Sequence, residues 1–134
     1  MSSPFECLCG NFILPEPASY VFFYAFSNLR NLLYIIPASR PVIAAKRDNM
    51  DEYDTIFVGF PIWWYIAPTI INTFLESYNL KGKTVITFAT SGGSGMGKTN
   101  EKLTPSCPGA KLLHGKVFNS YSSKADLSAW VETI

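Results

Sequence analysis

The chain has 134 residues, enough for one domain with a real core and too few for two. A hydrophobic fraction of 48% against 16% charged residues excludes a disordered chain. A net charge of +1, with no run of like charge longer than Lys46-Arg47, gives no electrostatic case for nucleic acid or an anionic membrane.

Residues 1–38 are rich in aromatics, nearly uncharged, and show no helical period. Residues 20–26 (YVFFYAF) and 32–36 (LLYII) each read as a candidate strand, with poor turn chemistry after it. Asn28, Arg30 and Asn31 interrupt the apolar stretch 20–36, so no membrane span is expected. The first six residues lack the basic segment of a secretory signal, and a soluble, cytoplasmic protein is the expectation.

From Ser39 onward the pattern is regular. Asp54-Thr-Ile-Phe-Val-Gly-Phe60 is a short β-branched run of the kind expected for a strand buried on both faces. Residues 61–67 read as a loop, and Pro68 as the first turn of a helix, where its missing N–H costs nothing. That helix would carry Ile70, Ile71, Phe74, Leu75 and Tyr78 on one face and end at Asn79 and Gly82. Lys83-Thr-Val-Ile-Thr-Phe-Ala89 is a second buried strand, followed by Thr90-Ser-Gly-Gly-Ser-Gly-Met-Gly97. Residues 98–103 make only a short helix, because Pro105 and Pro108 stop it from continuing. Residues 111–119 form a weaker third strand candidate. Ser123-Lys-Ala-Asp126 resembles a capping box, and behind it Leu127, Trp130, Val131 and Ile134 fall on one helical face.

Alternating strands and helices predict an α/β fold with a parallel sheet. Ligands in such sheets bind beyond the carboxyl ends of the strands. Loops 61–67 and 90–97 both follow strands, so they are expected side by side on that edge.

The first loop, Pro61-Ile-Trp-Trp-Tyr-Ile-Ala-Pro68, sets three consecutive aromatics at a strand end. Such a surface suits a flat heteroaromatic ring such as a flavin, which stacking buries without fixing a hydrogen-bond pattern. Trp63 and Trp64 could equally be core residues capping the sheet. The second loop offers backbone N–H groups with little side-chain obstruction, together with the hydroxyls of Thr90, Ser91 and Ser94. These suit the polar edge of the same ring, and the bland alternative is a flexible connection.

A competing motif overlaps the second loop. Gly92 to Thr99 satisfies GxxxxGK[ST], in which Lys98 would reach phosphates and Thr99 would hold Mg²⁺. Against it stand the short helix before Pro105 and the lack of a later strand ending in Asp. A nucleotide-binding protein using Gly92–Thr99 is the alternative, and a non-catalytic remnant a further one. Cys7, Cys9 and Cys107 form no metal-ligand pattern, and His114 stands alone.

Residues 50–68 (MDEYDTIFVGFPIWWYIAP) and 83–97 (KTVITFATSGGSGMG) resemble the third and fourth strands, with their loops, of short bacterial flavodoxin-like proteins. Cys107-Pro-Gly-Ala110 and the closing helix with Trp130 fit the same pattern, so the resemblance covers 39–134. It implies a flavodoxin-like doubly wound sheet that holds FMN without a covalent bond and passes electrons, with the flavin ring between the two loops. By position this assigns the ring to Ile62, Trp63, Trp64, Tyr65 and Ala67, and to Thr90, Ser91, Gly92, Gly93, Ser94, Gly95 and Gly97. It also implies a redox partner protein or a small-molecule electron acceptor, with a homodimer as a further expectation, and no catalytic side chain or metal.

One departure stands out. Relatives open with a strand leading into a Ser-x-Thr-Gly-Asn-Thr-type loop that grips the FMN phosphate. Here Ser27-Asn-Leu-Arg-Asn31 lacks the Thr and Gly, and residues 32–38 leave no room for a helix and a strand. Residues 1–38 therefore read as an atypical segment: a degenerate substitute or, favoured by the composition break at Ser39, a frameshift or misplaced gene start. Flavin binding weaker than in the family is the expectation.

Overall fold

The computed structural model describes the backbone of residues 20–24 and residues 38–43, 46–119 and 122–134. Its strands are Tyr20–Tyr24 (β1), Thr55–Pro61 (β2), Thr84–Thr90 (β3) and Lys111–Phe118 (β4), and its helices Ile70–Glu76 (α1), Thr99–Leu103 (α2) and Lys124–Val131 (α3). The candidate strand at 32–36, the segment 27–31 and Cys7 and Cys9 lie outside the described residues.

All four strands run parallel in the order β1-β2-β3-β4. β2 and β3 each hold five consecutive buried residues between half-buried ends, which is what apolar runs without alternation do when both faces are covered. On one face Ile56, Val58 and Phe60 of β2 and Val85 and Ala89 of β3 pack with Ile70, Ile71, Phe74 and Leu75 of α1 and Leu103 of α2. On the other, Phe57, Ile86, Phe88 and Phe118 pack against Leu127, Trp130 and Val131 of α3. Helices thus cover both faces, the doubly wound α/β arrangement expected. Each fully buried Ile, Leu or Phe in these layers contributes about 1.5–3 kcal/mol of transfer free energy.

Local chemistry sets the element ends. α1 begins at Ile70 with Thr69 as its N-cap, two residues later than the position expected from Pro68. Pro68 instead precedes the helix, and its carbonyl accepts from the Ile71 N–H at 3.0 Å. The same helix stops at Glu76, where the Ser77 hydroxyl donates back to the Thr73 carbonyl at 2.6 Å. Asn79 and Gly82 shape the next turn: Asn79 Oδ1 accepts from the Lys81 N–H, and Gly82 takes φ +79. The capping box of α3 is present, with Asp126 Oδ2 accepting from the Ser123 N–H at 2.6 Å and Ser123 Oγ accepting from the Asp126 N–H at 3.2 Å. Ile134, expected on the apolar face of that helix, lies beyond its end and is 59% exposed.

Between β3 and β4 the register slips. Thr87 pairs with His114, but Ala89 pairs with Val117, so β4 carries one extra residue there. Gly115 sits in this bulge, and a Cβ at that position would strike the Thr87 carbonyl. Behind α1, Arg40 Nε donates to Glu76 Oε2 at 2.8 Å, and the Ser106 hydroxyl donates to Glu76 Oε1 at 2.8 Å. Asn72 Nδ2 donates to Ser106 Oγ in turn, tying the segment before β2 to α1 and to the turn after α2. The Arg40 hydrogen bond, followed by burial acting the other way, leaves the Glu76 carboxyl below its ordinary value.

Candidate functional site

The carboxyl ends of β2 and β3 are level: Pro61 pairs with Thr90, and the Ile62 N–H donates to the Thr90 carbonyl at 2.9 Å. Both loops therefore leave the sheet side by side on one edge.

The aromatic loop folds as a two-residue hairpin. Trp63 and Ile66 exchange backbone hydrogen bonds at 3.0 and 3.1 Å, and the two residues between them, Trp64 and Tyr65, take φ +51 and +66. Two successive left-handed residues define a type I′ turn, a geometry that favours Asn-Gly. An aromatic pair there stores about 1–2 kcal/mol of backbone strain per residue. Moreover, Trp64 is 77% exposed and Tyr65 68% exposed. Among the described residues, neither packing nor backbone preference asks for these two rings at this place.

Trp63 is different. It is half-buried and, with Ile62, packs against the core layer under α1. Ala67 is 4% exposed within the same layer, so its side chain points into the protein. The aromatic triplet thus splits into one core residue, Trp63, and two outward rings.

The glycine-rich loop is organised by Ser91. Its N–H donates to the Phe118 carbonyl at 3.3 Å, which ties the loop to the end of β4. Its Oγ accepts from the N–H groups of Gly93 at 3.3 Å and Ser94 at 2.9 Å, and lies 2.9 Å from Ser94 Oγ. The two serine hydroxyls and two of the amides are therefore spent on shaping the loop. Thr90 is half-buried at its start.

Four glycines in this loop fall into two kinds. Gly92, Gly93 and Gly95 are exposed, and a Cβ on any of them would meet nothing within 4 Å. Gly92 and Gly95 also have no left-handed φ, so neither packing nor backbone geometry requires glycine there. Gly97 is required twice over: φ is +55, and a Cβ would lie 2.5 Å from the Tyr65 carbonyl oxygen. The Lys98 N–H donates to that same oxygen at 3.3 Å. Gly97 therefore locks the two loops together at Tyr65, and Met96 beside it packs on the core.

The Walker-type reading of Gly92–Thr99 does not suit this geometry. Thr99 is fully buried, so its hydroxyl cannot reach a solvent-borne metal ion, and α2 behind it has five residues before the turn containing Pro105. Cys107 is buried, its thiol donates to the Leu103 carbonyl at 3.6 Å, and burial pushes its pKa up, as for an inert structural thiol. Among the described residues no group of three His, Cys, Asp or Glu side chains is placed to hold a metal, and no helix is long and apolar enough to cross a membrane.

Sequence reasoning passed over two residues that shape this edge, Thr87 and Asn100. Thr87 carried a visible signal, as the single polar residue inside the buried run 85–89.

Comparison with known proteins places the chain further. The family model described as Flavodoxin matches residues 33–134. Two crystal structures are similar, each of a protein named "putative flavoprotein". The one from Bacteroides eggerthii DSM 20697 is 42% identical, with a TM-score of 0.64 over 75% of this chain. The one from Bacteroides uniformis ATCC 8492 is 43% identical, with a TM-score of 0.65 over 73% of this chain. This chain spans 62% of the length of either. No curated protein matches it.

Proposed function

The chain belongs to the flavodoxin family, and on that premise we propose that it binds FMN by the ring end, between the Trp64-Tyr65 turn and loop 91–97, and serves in electron transfer. The observation that carries this reading is the joined pair of turns. Gly97 and Lys98 dock on the Tyr65 carbonyl, while two strained aromatic rings and two glycines that neither packing nor backbone geometry requires, Gly92 and Gly95, face outward beside them. Features that a chain does not need for its own stability are best explained by something outside it. The residues fit a flavin: a flat apolar wall on one side, and unobstructed backbone on the other. That both similar crystal structures carry a flavoprotein name supports the same reading.

When bound, FMN would supply the one- or two-electron chemistry itself. The work of this chain is then to bind and to shield. Trp64 and Tyr65 would cover one ring face and keep water from it, which would disfavour extra negative charge there. Backbone N–H groups of loop 91–97 can hold the polar edge of the ring without side chains in the way. No proton carrier from the chain is needed. The electrons would pass to a partner protein or a small-molecule acceptor.

Affinity should be modest, because the segment after Tyr20–Tyr24 lacks the hydroxyl- and glycine-containing phosphate loop. A phosphate grip contributes about 1.5–3 kcal/mol for each charge-assisted hydrogen bond. Titrating the protein into FMN and into riboflavin, with flavin fluorescence as the readout, tests both parts. The expected result is quenching by both ligands, with dissociation constants within about tenfold of each other. Fluorescence unchanged for either flavin at millimolar protein would refute binding at the ring end; a preference for FMN above a hundredfold would refute the loss of the phosphate grip.

A further inference from the structure

Thr87 lies fully buried in the middle of β3, on the face that looks toward α1 and α2. A buried hydroxyl among apolar neighbours is costly unless it finds a partner. Its partner is off the sheet: the Thr87 hydroxyl donates to Asn100 Oδ1 at 2.8 Å, and Asn100 is itself only 6% exposed in the first turn of α2. The Leu113 carbonyl of β4, beside the bulge, stands 3.4 Å away as a second acceptor for the same hydrogen. Asn100 also holds the end of its own helix. Its carbonyl accepts from the Thr104 N–H and, at 2.7 Å, from the Thr104 hydroxyl.

The chain leaves the sheet after Thr90 and returns to it at α2, so the glycine-rich loop is a bridge with one foot near Thr87 and the other at Asn100. Closing that bridge across a short base removes conformational freedom from everything between. Stability alone does not account for the choice of residues. Among the described residues Asn100 Nδ2 has no partner although it is buried, a penalty that an apolar residue at position 100 would avoid. A polar pair retained at such a cost is better explained by orientation than by packing.

We infer that the Thr87–Asn100 hydrogen bond is the clamp that positions the glycine-rich loop: it fixes where the loop returns to the sheet and so presets the loop's backbone for its ligand. Thr87 and Asn100 are positioning residues that touch no ligand themselves. The identity of that ligand rests on the flavin reading above, whereas the ordering of the loop does not.

The test uses the full chain with Thr87→Val, Asn100→Leu, the double variant, and Thr87→Ser. Two readouts are taken: amide hydrogen exchange resolved by residue, and FMN titration. Thr87→Val and Asn100→Leu should each speed exchange at residues 91–98 by about tenfold and weaken FMN binding by a similar factor. The double variant should match either single one, since both act through one bond, and Thr87→Ser should behave as the parent. Unchanged exchange in the loop, an increase spread evenly over all strands, or additive effects in the double variant would each overturn the clamp. Should Asn100→Leu not fold, the isosteric Thr87→Val beside Thr87→Ser carries the same decision. If the parent binds no flavin, the flavin reading falls while the exchange pattern still decides the clamp; if flavin binds and the pattern is flat, the clamp alone falls.

Discussion

The two turns at the carboxyl edge of the sheet are built by opposite means. The aromatic turn is held by a closed pair of backbone hydrogen bonds, with large side chains forced into left-handed backbone. The glycine-rich loop is tied at its start through Ser91 and at its end through Gly97 and Lys98, with little obstruction between. The first is a closed turn that holds its strain in its own backbone. The second is a span whose shape depends on its anchors. A site made from one of each can keep a planar ligand in register while letting the backbone on one side adjust to it.

Gly97 joins the closed turn to the span, so changing it should break the comparison outright. Gly97→Val forces a side chain into left-handed backbone and against the Tyr65 carbonyl. Urea denaturation should show a loss of about 2–4 kcal/mol, accompanied by loss of flavin quenching. A variant as stable as the parent would mean that the two turns are not locked together.

Exchanging the residue types between the turns sharpens the contrast. Trp64→Gly relieves the left-handed strain and should raise stability by about 0.5–1 kcal/mol while lowering flavin affinity. Gly92→Ala meets open space in ordinary backbone, so it should leave the unfolding midpoint within about 0.5 kcal/mol of the parent and still weaken the flavin. Stability and affinity moving in the same direction in Trp64→Gly would argue that the ring serves the fold instead.

The smallest effect lies away from both turns and serves as a control on them. The Glu76 carboxylate, hydrogen-bonded by Arg40 and then by Ser106, has its pKa depressed in the folded state from an ordinary value of 4.5. A depressed carboxylate stabilises the fold above that ordinary value, and the contribution fades as pH falls through the lower folded value. Both side chains are about two-fifths exposed, so solvent screening holds the contribution under about 1 kcal/mol. Arg40→Ala should therefore flatten the stability profile below pH 4.5, while exchange in loop 91–97 stays as in the parent.

Much of this architecture is readable in the chain before any coordinates. The runs 55–60 and 84–89 are mainly apolar and β-branched without alternation, as expected of covered parallel strands, and Ser123 with Asp126 announces α3 through local hydrogen bonding alone. The features that resisted reading depend on contacts between distant segments. Nothing in Trp64-Tyr65 signals a type I′ turn, because residues with that intrinsic preference are absent and the turn is imposed by Trp63 pairing with Ile66. Trp63 and Trp64 look alike in sequence, yet one packs on the core and the other does not, because the turn begins at Trp64. Thr87 and Asn100 stand thirteen residues apart, and only the packing of α2 on β3 brings them together.

The single additional residue at Gly115 reaches further than its own position. Leu112 and Leu113, ahead of it, address the α1 and α3 layers by simple alternation, which would send Phe118 to the α1 layer. The insertion reverses the parity of the rest of the strand. Phe118 turns instead to the α3 side, edge-on to Trp130 at 5.5 Å, while its carbonyl meets Ser91. One odd residue in an outer strand thus transfers an aromatic ring from one layer of the protein to the other, at the residue whose carbonyl holds the start of the neighbouring loop.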